Sequence, residues 1–467
     1  MAPLLFFELM LPREGPSETA GCADLVLVAP SAAECRVRGR LTDTLETIAT
    51  NVRQGGMAYV LVPPRWRRSV EHRLRGIEGA RLQPYAHLPR AASPGFVVPL
   101  VEEPLRYAFR HAASLPGWAR RLAASFAGLP LARRALARWA PSVGFVVFPA
   151  HSEPFEWLAR EAPDEARPLH VVARMSWRGS ESPLVLHGFE GQGGAQVLVA
   201  KAANDAASSA AAEREAENLR MLHAGAIAAG AHLPTLLASD RIGRSRVIIE
   251  TPVTGEPAAL LLASRPQQAP EVMDRIACWL LRWHEATRTD HPLSADHLAR
   301  WFEEPLRCLS PDLPDVRAIS ARRQGDSVPL VAAHLDLTMS NVFLDDTEAL
   351  GIVDWEEAEP RALPLVDYFY AVTDVALAAH GGTRLDAFRA CFSRDGRHAE
   401  RVRGHVDAFA EALGLDPDLV WLCFDACWLH HARNEAERAT PGQDRPFLEI
   451  LRWRVAHGEQ LQLMGER

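Results

Sequence analysis

Lysine occurs once in this 467-residue chain, at Lys201, while the other 50 of its 51 basic residues are arginine. A lone lysine in an arginine-rich chain suggests a position that needs a compact ammonium on a thin stem rather than a wide planar guanidinium. Lys201 ends the strand-like run Val197–Lys201, just after a glycine turn containing Gly191, Gly193 and Gly194. An ammonium behind such a turn is a candidate for holding phosphate oxygens. The second chemical cluster is His334-Leu335-Asp336-Leu337-Thr338-Met339-Ser340-Asn341, followed by Gly351-Ile352-Val353-Asp354. Phosphoryl transfer needs a carboxylate to accept or orient a hydroxyl proton, and hard oxygen ligands for Mg²⁺ beside the phosphates. The H-x-D-x4-N spacing puts Asp336 and Asn341 at opposite ends of one short loop, so that one can face an acceptor and the other a metal.

These groups work only if particular elements deliver them. After Asn341, Val342–Leu344 reads as a strand turning at Asp345-Asp346, and Leu350–Val353 as its return, which brings Asp354 back to the same edge. His334 is expected to brace the loop rather than to do chemistry. On the helix that follows Lys201, residues 215, 219 and 222 share one stripe at 3.6 residues per turn. Leu219 and Leu222 mark that stripe as buried, so Glu215 points inward and Glu213 and Glu217 outward. A buried carboxylate needs a cation, and Lys201 on the neighbouring strand is the natural partner.

Three regions follow from the patterning. Residues 1–165 alternate strand candidates (Asp24–Ala29, Met57–Val62, Gly95–Leu100, Val143–Phe148) with a helix at Thr44–Arg53, as in a small α/β layer domain. The Pro/Glu/Ala-rich run Glu153–Pro168 reads as a linker. Residues 166–255 are β-rich, with strands at His170–Met175, Pro183–Phe189, Gln196–Lys201 and Arg246–Glu250. Residues 256–467 are mostly helical.

The ordered set of glycine turn, strand lysine, helix glutamate, H-x-D-x4-N and hairpin aspartate resembles the aminoglycoside phosphotransferase and choline kinase-like family, over residues 166–460. The resemblance implies an α+β, bilobal protein-kinase-like fold, with a β-rich N-lobe at 166–255 and a helical C-lobe at 256–467. It implies ATP and Mg²⁺ as cofactors and a hydroxyl of a small molecule as acceptor. Lys201, paired with Glu215, would meet the nucleotide phosphates together with Gly191, Gly193 and Gly194. Ile249–Pro252, including Glu250 and Thr251, would be the hinge whose backbone meets adenine. Asp336 would be the catalytic base, Asn341 and Asp354 the metal ligands, and Asp367 structural. Leu335 departs from the family, which usually has glycine between the catalytic-loop His and Asp.

Residues 1–165 are less legible. Gln54-Gly55-Gly56 followed by Met57–Val62 resembles the helix–GG–strand passage in the later half of Rossmann-like methyltransferases. No glycine-rich cofactor loop precedes it, so a truncated relative that does not bind S-adenosylmethionine is expected. Between Pro104 and Ser152 there is no Asp or Glu, while seven arginines alternate with Trp118, Phe126, Leu129, Leu131 and Trp139. Such a stretch is a candidate for peripheral contact with an anionic membrane, or for packing on an acidic neighbour.

The bulk composition narrows the classes. A formal charge of −8 gives no support to nucleic-acid binding. No apolar run approaches the ~20 residues of a bilayer span, and Met1–Glu8 lacks the basic start of a signal peptide. Seven scattered cysteines without paired zinc spacing suggest reduced thiols and a cytoplasmic protein. The leading expectation is an ATP- and Mg²⁺-dependent kinase acting on a small molecule, with a sugar or lipid-linked glycan favoured over a drug. The rivals are a non-catalytic nucleotide-binding scaffold and a methyltransferase with a kinase-like appendage.

Overall fold

The computed structural model describes residues 6, 9–10, 25–29, 38–53, 55–62, 66–88, 95–111, 123–127, 143–175, 183–191, 194–230, 232–309, 322–345, 349–439 and 444–465. The chain is mixed α+β, as expected. Its contacts divide into two compact units: 1–216 with 235–252, and 217–234 with 253–467.

The first unit is built on one ten-stranded sheet. Its strands are β1 (Leu25–Val28), β2 (Met57–Val62), β3 (Ala80–Leu88), β4 (Phe96–Pro99), β5 (Val143–Pro149), β6 (Leu169–Arg174), β7 (Leu184–Glu190), β8 (Gln196–Ala202), β9 (Leu236–Ile242) and β10 (Ser245–Glu250). They lie in the order β1-β2-β5-β3-β4-β6-β7-β8-β10-β9. Among the described pairings of this sheet only β1 with β2 is parallel. The sheet passes through residue 165 without a break, because Phe96 and Val97 of β4 pair with Arg174 and Ala173 of β6.

Alternation along the strands sorts side chains to two faces. On one face Leu184, Leu186, Leu198, Ala200, Val247 and Ile249 join a core that includes Phe155, Trp157 and Leu158. The linker expected at Glu153–Pro168 is therefore core, not linker. Trp157 donates its indole N–H to Leu9 O at 2.6 Å, and Phe155 N donates to Met10 O at 3.1 Å. The Pro/Glu/Ala composition hid three large apolar side chains whose burial outweighs the turn-forming residues around them.

The other face carries the alternate residues, Lys201, Ile248 and Glu250 among them. Helix α1 (Arg38–Arg53) accompanies β1 and β2, and α2 (Glu102–Arg110) packs Leu105 and Ala108 with Val172 and Phe189. Helix α3 (Ala206–Ala229) packs Ala212 and Ala216 on Ile248.

The second unit is mostly helical. Helix α4 (Ala269–Thr287), α5 (Val366–His380), α6 (Arg384–Phe392), α7 (Ala399–Leu413), α8 (Pro417–Arg438) and α9 (Pro446–His457) surround two small sheets. One sheet orders β11 (Glu256–Pro257), β14 (Val342–Leu344) and β15 (Leu350–Ile352); the other orders β12 (Thr289–Pro292), β13 (Ser327–Ala333) and β16 (Glu359–Ala362). Among the described residues no helix is long and apolar enough to cross a membrane.

Candidate active site

Two sets of groups form, one in each unit. In the first, Lys201 Nζ donates to Glu215 Oε1 at 2.5 Å, with side-chain exposures of 11% and 2%. The pairing follows from two periodicities. Lys201 and Ile248 are register partners on β8 and β10. Because α3 lays Ala212 and Ala216 on Ile248, its next inward position, Glu215, meets the ammonium. The outward residues behave as their spacing dictates: Glu217 is exposed, and Glu213 is exposed and pairs with Arg246.

Glu250 joins this set through its side chain. It lies two residues beyond Ile248 on the same face, with Oε1 3.6 Å from Lys201 Nζ. One ammonium thus faces two buried carboxylates, an arrangement that locks its position. Thr251, expected to meet a base through its backbone, has its N–H committed to Thr235 O (2.9 Å) and its hydroxyl to Thr235 N (2.8 Å).

The glycine turn requires a correction. Lys201 pairs with Val185, whereas the turn end of the same hairpin is the pair Phe189–Gln196. Five residues of strand separate them, roughly 17 Å at about 3.3 Å per residue. Gly191 and Gly194 therefore sit at the end of the hairpin remote from the ammonium, and Gly193 lies outside the described residues. Both described glycines have packing reasons instead. A Cβ on Gly191 would meet Pro168 O at 2.6 Å, and Gly194 adopts φ +73° with Glu103 Cγ 2.5 Å from where its Cβ would be. The β6–β7 connection is the one that leaves and returns beside Lys201, since Arg174 pairs with Val185. Its residues 176–182 lie outside the described set.

In the second unit, β13 leads into the loop 334–341. His334 is fully buried; its Nδ1 accepts from Asp336 N (3.2 Å) and its Nε2 donates to Val353 O (2.9 Å). One neutral tautomer serves both bonds and ties the loop to the strand that delivers Asp354. Asp367 at the start of α5 accepts from His334 N (2.6 Å) and Leu335 N (2.8 Å). Met339 N donates to Asp374 (2.7 Å), which pairs with Arg384. The structural role expected of Asp367 is borne out. Asp374 is thus a second brace of the loop. Arg322 and Arg323 pair with Asp418 and with Asp416 and Asp326.

Asn341 donates its amide to Asp336 O (3.0 Å) and Oδ2 (3.4 Å), which turns Oδ1 the other way. The expected hairpin forms with Val342 opposite Ile352, and Val353 N donates to Asn341 O at 3.0 Å. Asp354 follows directly, at φ +73°. Burial, and then the nearby charge of Asp354, push the Asp336 carboxyl up to about 7. Burial also raises Asp367, to about 6, against the pull of its two backbone amides. Asn341 Oδ1 and the Asp354 carboxylate are hard oxygen donors of the kind Mg²⁺ selects. Among the described residues no group of three His, Cys, Asp or Glu side chains forms a metal cluster.

Residues 177–405 match the phosphotransferase enzyme family. No curated protein matches the chain. Among solved structures, an aminoglycoside phosphotransferase of Streptomyces rimosus ATCC10970 is 21% identical, with a TM-score of 0.37, over 59% of this chain and 97% of its own. A putative fructosamine-3-kinase from Haemophilus somnus 129PT is 9% identical, with a TM-score of 0.34, over 62% and 92%. A phosphotransferase solved with GDP and kanamycin is 13% identical, with a TM-score of 0.34, over 62% and 92%. Lys201, Glu215, Glu250, Asp336, Asn341 and Asp354 all lie within residues 177–405, the segment that matches the phosphotransferase enzyme family.

Proposed function

We propose that the chain transfers the terminal phosphoryl group of ATP to a hydroxyl of a small molecule, with a sugar or glycan-linked acceptor favoured. The observation that carries this reading is Asp336: a loop carboxylate held near neutral pKa, hydrogen-bonded by Asn341 and raised in part by Asp354. A base poised near the working pH combines the required protonation state with driving force for proton transfer. Asp336 accepts or orients the hydroxyl proton while the acceptor oxygen attacks phosphorus. The Lys201 ammonium, fixed by Glu215 and Glu250, offsets phosphate charge. Asn341 Oδ1 and Asp354 would hold Mg²⁺, which when bound neutralises phosphate oxygens. The Ile249–Pro252 segment would meet the base through backbone atoms. The likeness to a structure solved with GDP keeps GTP in the test beside ATP.

Two measurements test the reading. Mg²⁺-ATP or Mg²⁺-GTP should raise the melting temperature of the wild type and not of Asp354→Ala. Ligand at a hundred times its Kd adds about 2.7 kcal/mol. ADP release stimulated by an acceptor should vanish in Asp336→Asn. Stabilisation by nucleotide without turnover on any acceptor would instead favour the rival scaffold reading.

Peripheral contact of residues 104–152 with anionic lipid belongs to the same proposal. Phe126 is 48% exposed, but Arg106 is engaged with Glu102 and Glu103, and most of the stretch lies outside the described residues. Liposomes with anionic lipid should sediment the protein at low salt and release it at high salt; no lipid-dependent sedimentation sinks the idea. Residues 1–165, whose strands β1–β5 share one sheet with β6–β10, are proposed not to bind S-adenosylmethionine, checked by calorimetric titration with that cofactor.

A further inference from the structure

A cavity of about 220 Å³ opens within the second unit, with Leu335 and Asp367 of the loop support on one side. Helix α8 supplies Cys427, His430 and Asn434, and residue Trp301 adds an aromatic wall. Asp336 is not itself in the lining, but Glu357 of the lining and its partner Arg438 are close enough to act electrostatically on the Asp336 carboxyl, which sets the proposed base beside the cavity. Pockets for drug-sized ligands run from about 300 to 1,000 Å³, so this space suits one ring rather than several linked ones.

The charges around it are already matched. Three glutamates line the cavity, and each is paired with a guanidinium: Glu357 with Arg438 at 2.8 Å, Glu437 with Arg433 at 2.8 Å (Arg433 also reaches Glu304 at 3.2 Å), and Glu359 with Arg300. The remaining carboxylate, Asp367, is occupied by two backbone amides. A polycationic ligand would gain little from these glutamates, because arginines already offset their charge and exposed ion pairs contribute little. The groups left for recognition are uncharged. His430 Nε2 bonds with the Asn434 amide at 3.1 Å. Burial, and then Arg300, hold the imidazole down at about 4, so it is neutral at pH 7. Trp301, stacked on His297 at 4.9 Å, offers apolar ring surface of the kind that packs on the C–H face of a sugar.

We propose that this cavity takes the acceptor, and that the acceptor is a single uncharged polyhydroxylated ring, a monosaccharide or cyclitol, chosen by Trp301, His430 and Asn434 over polycationic amino-sugars. The proposal rests on the phosphotransferase reading above and adds the class of its substrate. In the reaction a ring O–H gives its proton to Asp336, its oxygen bonds to the γ-phosphorus of ATP, and the bond from that phosphorus to the β–γ bridging oxygen breaks to release ADP.

The experiment measures ADP release from Mg²⁺-ATP with neutral hexoses and inositols, with the amino analogue of whichever ring is turned over, and with kanamycin. A neutral ring should stimulate release, its amino analogue should show at least tenfold lower kcat/KM, and kanamycin should give none. Trp301→Ala should raise the acceptor KM at least tenfold and leave the KM for ATP unchanged, with Trp301→Phe restoring most of the loss. Equal or better turnover of kanamycin or the amino analogue overturns the proposal. So does an unchanged acceptor KM in Trp301→Ala, or a panel of neutral rings with no turnover while Mg²⁺-ATP still stabilises the protein. Absence of that stabilisation would overturn the phosphotransferase reading itself, a separately visible result.

Discussion

The Asp367 carboxylate accepts the backbone N–H of Leu335 at 2.8 Å while Leu335 itself sits at φ +62°. A left-handed backbone costs an L-residue roughly 1–2 kcal/mol, and glycine would avoid that cost. Here the conformation is retained because Asp367 holds two consecutive amides, those of His334 and Leu335, in a fully structured pocket. The Leu335 side chain is 9% exposed and lines the proposed acceptor cavity.

Strain at this position predicts an inverted order of two truncations. Glycine is ordinarily the less stable by about 0.5–1 kcal/mol in regular structure. Leu335→Gly and Leu335→Ala both lose the buried side chain, but only the glycine variant relieves the positive φ. Leu335→Gly should therefore be at least as stable as Leu335→Ala in urea unfolding. A glycine variant clearly below the alanine one would refute the strain argument.

Asp367→Asn tests the brace. Asparagine has one acceptor oxygen, so one of two buried backbone amides loses its partner, a loss of about 1–3 kcal/mol. The melting temperature should fall and kcat should drop with little change in the KM for ATP. Asp367→Glu is not expected to rescue, since a longer side chain cannot reach both amides from the same helix turn.

Removing the lysine exposes a different imbalance. Lys201→Met leaves Glu215 and Glu250 buried without their shared cation, and breaking a buried pair from one side typically costs about 3–5 kcal/mol. Adding Glu215→Leu to Lys201→Met should recover part of that stability, a coupling readable in a double-mutant cycle. Lys201→Arg keeps the charge but not the shape, and nucleotide stabilisation should be lost even though the protein folds.

The pH dependence follows from Asp336. Its base form is needed, and burial with Asp354 nearby lifts the carboxyl to about 7. The free enzyme's kcat/KM should therefore fall on the acid side with a limb near pH 7. Stability runs the other way. A carboxyl raised on folding favours the folded state fully below its unfolded pKa, and this contribution is lost as pH rises through about 7. Asp367, raised to about 6, has the same sign. Asp336→Asn should flatten the upper part of this melting-temperature decline between pH 6 and 7.5; an unchanged profile would place the titration elsewhere.

Asn218 on α3 offers a last check within the second unit. Its amide donates to Trp355 O (2.8 Å) and Ala358 O (3.0 Å), the segment just after Asp354. Asn218→Ala should destabilise by about 1–3 kcal/mol, because the Trp355 and Ala358 carbonyls each lose the amide N–H that Asn218 donates. It should also weaken Mg²⁺-dependent nucleotide stabilisation more than metal-free nucleotide binding.

Patterns confined to one element were legible in the sequence. A 3.6-residue stripe was enough to send Glu215 inward with Leu219 and Leu222 and to leave Glu213 and Glu217 outside, because helix geometry is local. The spacing from His334 to Asn341, and a hairpin short enough to close on itself, likewise determined that Asp336, Asn341 and Asp354 converge. Tertiary structure decided what depends on register and strand order. Glu250 joins Lys201 only because β10 pairs with β8 at Ile248, and Gly191 and Gly194 are remote from the ammonium only because the hairpin runs five residues past it. The same non-local choice made one sheet of β1–β10 and turned Glu153–Pro168 into core. Strand partners are selected by cross-strand packing between residues far apart in the chain, and no window of sequence contains both members of such a pair.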